Sequence, residues 1–248
     1  MSYFLHSREA RVKDPEYREA RYRKALEEQR KLRSRVREEA LIRSPRLVAG
    51  ADVSFNLYGK TFWGGLVVCD IQNDFKAVDR SVVRMVVDFP YIPGLLGFRE
   101  VPVLKAAYEG LAVKPEVILV DAHGRAHPRR LGSASHLGVV LNVPAVGCAK
   151  SLLCGEYDEP DWERGAFSPM TLEGEIVGRV LRTRSDVKPV FVSVGHRCDL
   201  EAAAQLVLAC SPKYRIPQPI RLAHDFVNDA RRGHRRRPPS GMTSIRTK

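Results

Sequence analysis

The sequence lacks long apolar runs. No window of its 248 residues approaches the ~18 consecutive apolar residues that a membrane-spanning helix needs. The first residues, MSYFLHSREARVKD, have neither the apolar core nor the small-residue cleavage site of a secretory signal. We therefore expect neither an integral membrane protein nor a secreted one, and we predict a cytoplasmic protein without a membrane partner.

Cysteine is scarce, and its spacing forms no recognisable pair. The five cysteines are odd in number, lie far apart and form no CxxC or CxxH motif. This spacing argues against a zinc ribbon and against a disulfide framework. Several cysteines lie in apolar runs such as LVVCDI, where a reduced thiol acts as a small buried hydrophobe.

Acidic residues are also few. The chain has 29 Asp and Glu against 41 Lys and Arg, which gives a net charge of +12 and a pI near 9.7. A cationic surface attracts polyanions, because each base placed on a phosphate releases condensed counterions. The excess favours a nucleic-acid partner, although solubility or a basic host proteome would give the same composition.

The composition predicts one folded domain with an extension at each end. Residues 1–44 are predicted to form a charged N-terminal helical extension, because apolar residues recur thinly at helical steps through 8–43. Residues 45–225 would form the domain. Residues 226–248 would be a basic, disordered tail, since the segment from 231 onward contains no acidic residue.

The apolar pattern of the domain predicts an α/β fold. Strands are expected at 46–55, 62–71 and 81–89, separated by the short turns of an antiparallel meander. A helix is expected through most of 95–111, followed by a buried strand at 116–122. Further helices are predicted at 134–142 and 199–210, and further strands at 143–149, 173–183 and 188–195. An antiparallel meander and then parallel strands in one mixed sheet, flanked by helices, matches the ribonuclease-H-like arrangement.

Three acidic residues stand at unexpected places in this pattern. Asp52 interrupts a core strand, Glu100 lies at the start of a helix, and Asp121 ends a buried strand. A carboxylate is rarely buried unless it is paired or binds a metal. One such residue alone is commonly a satisfied ion pair, but three on consecutive elements favour a shared Mg²⁺ site. A metal there could polarise a phosphodiester and lower the pKa of the attacking water.

Histidines give a weaker signal. They fall in DAHGRAHPRRLGSASHLG, SVGHRCD and RLAHDF, and none has the HExxH spacing of a zinc hydrolase. Zinc is therefore the minor alternative. Lys150, which follows the apolar run VPAVGCA, could meet a phosphate as a point charge or could simply be a surface lysine.

Six blocks in order carry a family resemblance: GADVSF, PYIPGLLGFRE, DAHGRAHPRRLGSASHLG, VPAVGCAKSLL, SVGHR and YRIPQPIRLAH. They resemble the endonuclease V family over roughly residues 46–225. The resemblance implies a ribonuclease-H-like, metal-dependent endonuclease that acts on inosine, the product of adenine deamination. Such an enzyme would cut the second phosphodiester 3′ to inosine, leave 5′-phosphate ends, and use Mg²⁺ or alternatively Mn²⁺.

The same resemblance implies roles for individual residues. Asp52, Glu100 and Asp121 would hold the metal, His224 would be a fourth site residue, and Lys150 would contact the scissile phosphate region. His127 and His196 would support the site. Tyr91 would be the wedge that fills the gap left by the flipped base, and Gly94, Leu96, Gly124 and Gly132 would help to form the base pocket. Ala122 and Val194 stand where the family commonly has Gly and Pro, which bears on substrate breadth.

The expected role is to initiate repair of deaminated adenine in DNA, by a monomer. A ribonuclease that acts on inosine in single-stranded RNA is a second interpretation, because the same site could serve it. A third is a noncatalytic lesion-binding module whose carboxylates are structural.

Overall fold

The computed structural model describes residues 15–41, 45–56 and 59–233. These residues form eight strands and five helices. The strands are β1 (Leu47–Phe55), β2 (Thr61–Asp70), β3 (Lys76–Val86), β4 (Val117–Val120), β5 (Ala145–Ala149), β6 (Phe167–Leu172), β7 (Glu175–Leu181) and β8 (Val190–His196). The helices are α1 (Pro15–Arg33), α2 (Gly97–Glu109), α3 (Ser133–Leu141), α4 (Leu200–Ala209) and α5 (Gln218–Arg231). None of these helices is long and apolar enough to span a membrane.

All eight strands belong to one sheet in the order β3-β2-β1-β4-β5-β8-β7-β6. Strands β1 to β3 form an antiparallel meander, β4 pairs in parallel with β1, and β5 pairs in parallel with β4. Strand β8 then runs antiparallel to β5. A meander followed by parallel strands confirms the predicted ribonuclease-H-like fold.

The sheet is covered on both faces, which explains the continuous apolar runs of its central strands. On one face, α2 and α3 pack over Ile118 and its neighbours. On the other face, α4 and α5 pack over Leu119 and its neighbours. Adjacent residues of β4 point to opposite layers because side chains alternate along a strand. The two layers hold the sheet rigidly, so the ends of β1, β4 and β5 are fixed relative to one another.

Two elements were not predicted from the sequence. Strand β6 contains Pro169, and a proline weakens any strand assignment, but β6 is an edge strand, where proline is tolerated. Helix α5 follows a proline-rich segment that reads as a loop. Its first residues include Pro219, and proline fits the first turn of a helix, where an N–H has no partner in any case.

Some predicted boundaries were wrong. Helix α1 ends at Arg33 rather than near residue 43, and the chain after it is held by backbone contacts, with the Arg197 N–H donating to the Arg37 carbonyl at 2.7 Å. Strand β3 ends at Val86 rather than at residue 89. Helix α5 continues to Arg231, so residues 226–231 are helical rather than part of a disordered tail. Residues 1–14 and 234–248 lie outside the described part of the chain.

A buried histidine makes the stability of the fold depend on pH. His136 lies in α3, packs edge-on against Phe98 with ring centroids 4.9 Å apart, and is 7% exposed. Burial lowers its pKa to about 4, from 6.5 in the unfolded chain. A depressed pKa gives stability that is present above pH 6.5 and is lost as the pH falls towards 4.

We therefore expect His136→Leu to reduce the loss of unfolding free energy between pH 7 and pH 4.5. The difference should be about 2 kcal/mol, because one pKa unit corresponds to about 1.4 kcal/mol. Urea unfolding of the protein and the variant at both pH values measures it. The carboxylates and the other histidines contribute equally to the pH dependence of both proteins, so the difference between them reports His136. Identical pH dependences would contradict the expectation.

Candidate active site

Three candidate side chains converge where β4 ends beside β1. Ala51 and Val120 are paired neighbours in these parallel strands, so the residues that follow them, Asp52 and Asp121, come side by side. His224 reaches the same place from α5. One ligand atom from each of Asp52, Asp121 and His224 lies within 4.8 Å of the others. This is the spacing of a site that can hold a metal ion.

Small residues in the sheet bring His224 to this cluster. Gly50 lies where α5 crosses β1, and a Cβ atom built on it would be 2.0 Å from the Pro219 carbonyl oxygen. Gly65, the partner of Asp52 on β2, gives similar room to Val227. Because the helix backbone lies directly on the strands, His224 Nδ1 comes to 2.8 Å from Asp52 Oδ2.

Gly50→Ala tests this close packing. The added methyl group collides with backbone, so α5 must move away from β1. We expect a loss of about 2 kcal/mol in unfolding free energy and, because His224 moves with the helix, a loss on the order of tenfold in any activity that depends on this cluster. Gly174→Ala is the matched control, since no atom lies within 4 Å of its Cβ position and only its positive φ of 79° opposes the change. Equal activity of both variants would show that the contact does not position His224.

A polar chain holds the His224 ring. Asn228 lies one helical turn further on; its side-chain nitrogen is 3.1 Å from His224 Nε2, and its oxygen accepts a hydrogen bond from the Ser54 hydroxyl at 2.8 Å. Asn228 thus holds the ring with Nδ1 facing Asp52, and Nδ1 is the nitrogen that a metal shared with Asp52 could bind. Sequence reasoning missed Asn228 and Ser54, although the four-residue step from His224 to Asn228 was a signal that could have revealed the pair.

Lys150 joins the cluster from β5. This strand is parallel to β4, so the residues just after the two strands lie side by side at the carboxyl ends of the strands. Lys150 Nζ donates to Asp121 Oδ2 in an ion pair. Arg215, which the sequence analysis did not single out, fixes the lysine backbone by donating to the Lys150 carbonyl at 2.6 Å. A cation that reaches the carboxylates in this way can also reach an approaching phosphate.

Glu100 lies near the cluster, where the charges of Asp52 and Asp121 act on its carboxylate. Its carboxylate accepts a hydrogen bond from the Ser133 hydroxyl at 2.6 Å and is not one of the three grouped ligands. Burial, together with the negative charges of Asp52 and Asp121, raises the pKa of Glu100 to about 7. We predicted Asp52, Glu100 and Asp121 as the metal ligands, and that assignment stays a prediction. The structure groups Asp52 and Asp121 with His224 and pairs Glu100 with Ser133.

The electrostatics of the cluster suit a divalent cation. Burial raises the pKa of Asp52, and so does the charge of Asp121. The carboxylates therefore repel one another, and a doubly charged ion would relieve that repulsion. Carboxylate oxygens are the ligands that Mg²⁺ and Mn²⁺ prefer, and the imidazole of His224 is a ligand that many transition metals accept. The residues present thus fit a metal ion.

The loop expected to carry the wedge projects from the surface. Tyr91 is 65% exposed, and its ring centroid lies 6.0 Å from the guanidinium carbon of Arg99. The loop closes with a β-turn in which the Leu95 N–H donates to the Ile92 carbonyl at 3.0 Å. Gly94 has φ +77°, a conformation that glycine adopts without strain. Leu96 lies just before α2, next to this turn.

His127 and His196 have different surroundings. His127 is buried beside the loop, its Nδ1 accepts the Arg129 N–H at 3.1 Å, and burial lowers its pKa to about 4. His196 ends β8, which is antiparallel to β5. It therefore pairs with Ala145 at the start of β5, whereas Lys150 follows the end of that strand. Its described partners are the Arg37 N–H and Asn142. The structure therefore does not bring His196 to the cluster.

Gly124 and Gly132 are sites of close backbone packing. A Cβ atom on Gly124 would lie 2.1 Å from the Val194 carbonyl oxygen, and one on Gly132 would lie 2.2 Å from the His123 carbonyl oxygen. The Gly132 N–H also donates to the Gly124 carbonyl at 2.9 Å. These contacts alone require glycine at both positions, so a role in a base pocket stays a prediction.

A ribonuclease-H-like sheet that carries two carboxylates, an imidazole and a lysine at one edge belongs to the nuclease class of phosphodiester hydrolases. Comparison with known proteins agrees. The model of the endonuclease V family matches residues 30–225, and the chain belongs to this family.

Relatives match over most of their length. The chain is 50% identical over 200 residues to endonuclease V of Methanothrix thermoacetophila, covering 81% of this chain and 87% of the relative. The crystal structure of endonuclease V from Streptomyces avermitilis is similar, with a TM-score of 0.81 and 41% identity over 85% of this chain and 93% of that one. Endonuclease V of Ciona intestinalis, in complex with a 24mer DNA containing an inosine followed by a ribo-adenosine, gives a TM-score of 0.70 and 27% identity over 86% and 99% of the two chains.

Proposed function

We propose that this enzyme recognises inosine in DNA and hydrolyses the second phosphodiester on its 3′ side, which would initiate repair of deaminated adenine. The observation that carries the proposal is the cluster of Asp52, Asp121 and His224 beside Lys150. The Ciona intestinalis relative, which binds inosine-containing DNA, supports the choice of substrate. Family membership in a group of nucleases leaves no support for the noncatalytic alternative.

We propose Mg²⁺, with Mn²⁺ as the alternative, as the cofactor of this site. Asp52, Asp121 and His224 would hold the ion, and the ion when bound would supply charge neutralisation at the phosphate and a more acidic water. Glu100 lies close enough to both aspartates for their charges to act on it, and it would join them as a ligand if its hydrogen bond to Ser133 were broken. Lys150 would exchange its contact with Asp121 for a contact with the scissile phosphate group.

Recognition of the base would depend on the loop that carries Tyr91. Extrusion of a nucleotide from a duplex costs a few kcal/mol, and an exposed aromatic ring can recover part of that cost by stacking in the vacated space. Tyr91 has the required exposure, and the prolines on both sides of Tyr91 and Ile92 limit the freedom of the loop before insertion.

Strand scission tests the proposal. A labelled duplex with one deoxyinosine should be nicked at the second phosphodiester 3′ to it in Mg²⁺ and should stay intact in EDTA. A duplex of the same sequence with adenine in place of inosine is the control. Cutting that persists in EDTA, or that is equally fast on the control, would refute the proposal.

Inosine in RNA is the second candidate substrate. It is favoured by one observation: the DNA bound by the Ciona intestinalis relative has a ribo-adenosine after its inosine. Matched single-stranded oligonucleotides, identical except for ribose or deoxyribose, separate the two. A higher kcat/KM on the RNA strand would assign the enzyme to RNA.

A further inference from the structure

Gln29 of the N-terminal helix makes unusual contacts for a helical glutamine. It is only 3% exposed, and its amide nitrogen donates to the carbonyls of Gly94 at 3.0 Å and Leu131 at 3.1 Å. Its amide oxygen accepts from Arg129 Nε at 2.5 Å. A buried amide is costly unless it is hydrogen-bonded, and here three of its four hydrogen-bonding positions are used.

These contacts form a closed ring with the loop that carries Tyr91. Arg129 Nη2 donates to the same Gly94 carbonyl at 2.7 Å, so Gln29 and Arg129 contact both this oxygen and each other. Gly94 is the third residue of the β-turn that follows Tyr91, and its Cβ position would lie 2.3 Å from Arg129 Nη2. The orientation of the turn is therefore defined by Gln29 and Arg129 together.

The helix also contacts the other end of the loop. Arg21 lies 3.8 Å from the Asp88 carboxylate, and its guanidinium carbon is 5.5 Å from the Phe89 ring centroid. Arg21 and Gln29 are about two helical turns apart, or roughly 12 Å. Helix α1 thus lies across both ends of the segment that presents Tyr91.

Docking of the helix itself does not require this amide. Leu32 packs with Leu131 and Val139, and Ala25 is also buried, so α1 has an apolar face that attaches it to the domain. An apolar side chain of similar length could fill the position of Gln29 without leaving its own polar atoms unpaired. What the glutamine adds to this apolar contact is its pair of hydrogen bonds to the carbonyls of Gly94 and Leu131.

We propose that Gln29 is a positioning residue for base recognition: it holds the Gly94 turn so that Tyr91 is presented in the orientation needed for insertion. The inference rests on the proposed function. It also gives the N-terminal helix a role in that function.

A double-mutant cycle tests the coupling between Gln29 and Tyr91. Gln29→Met keeps the length of the side chain and removes its hydrogen bonds. We expect kcat/KM on duplex deoxyinosine to fall about tenfold in the protein with Tyr91, and less than about twofold when Tyr91→Ala is already present. On a single-stranded deoxyinosine oligonucleotide, where little unstacking is needed, the loss should be less than about twofold.

Glu28→Ala, an exposed change on the same helix, is the control and should leave both activities unchanged. Gln29→Glu is the second variant in case Gln29→Met does not fold: its carboxylate can still pair with Arg129 but cannot donate to Gly94, so the same loss on duplex substrate is expected.

The inference would be overturned if Gln29→Met lowered kcat/KM equally with and without Tyr91, or equally on duplex and single-stranded substrates. The proposed function fails separately, if the unmodified protein shows no preference for inosine.

Discussion

Asp121→Asn is expected to lower the rate of cleavage at deoxyinosine by about 100- to 1000-fold while binding to the same duplex persists. Asp121 is one of the three grouped residues and the ion-pair partner of Lys150, so an amide in its place would weaken metal binding and remove the negative charge beside the lysine. Losing a single preorganised electrostatic contact in an active site commonly costs about 100- to 1000-fold.

Binding and stability should not fall with activity in this variant. The excess of Lys and Arg that attracts phosphates is unchanged, and the loss of one negative charge favours a polyanion. The charge of Asp121 raises the pKa of Asp52 and of Glu100, so its removal relieves repulsion in the folded state. Single-turnover cleavage, a binding titration in EDTA and the thermal unfolding midpoint measure the three quantities.

Asp70→Asn is the matched control. Asp70 also ends a strand and forms an ion pair, with Arg46 Nη2 at 2.6 Å. Its neighbour in the sheet is Leu47, the first residue of β1, so it lies away from the cluster that contains Asp52. This change should reduce stability and leave cleavage within about twofold at temperatures where the variant is folded. If Asp121→Asn retained full activity, the cluster would not be the catalytic site.

Tyr91→Ala is expected to lower kcat/KM on duplex deoxyinosine by about thirtyfold, which corresponds to about 2 kcal/mol of stacking lost at the insertion step. The effect on a single-stranded substrate should be less than about threefold, because its bases are already accessible. Steady-state cleavage of the two substrates by the same preparation measures the difference between the two losses of kcat/KM.

Phe167→Ala is the control for Tyr91. Phe167 is also an exposed aromatic residue, but it lies on the edge strand β6. Its removal should change neither activity by more than about twofold. A loss of the same size on duplex and single-stranded substrates by Tyr91→Ala would show that the ring binds nucleic acid generally and does not act as a wedge.

Local patterns were sufficient for the parts of the fold that depend on local sequence. The apolar runs of β1, β2 and β4 predicted central strands, because a strand covered on both faces must be apolar throughout. Asp52 and Asp121 stood out for the same reason: a charge in or just after such a run needs a partner. The same reasoning failed for β6 and α5, where proline suggested loops and only the edge position or the first helical turn makes proline acceptable.

The sequence by itself determined the central strands of the sheet, the family and the two aspartates of the candidate site, since each follows from residue types and spacings along the chain. Only the tertiary structure decided that His224 lies beside Asp52 and Asp121 while Glu100 accepts a hydrogen bond from Ser133. It likewise decided that Gln29 reaches the Gly94 turn and that His196 lies beside the start of β5. His224 and Asp52 are 172 residues apart in sequence. Contacts of this kind depend on how helices pack across a finished sheet, and no local pattern encodes the orientation of a side chain toward a partner so distant in the chain.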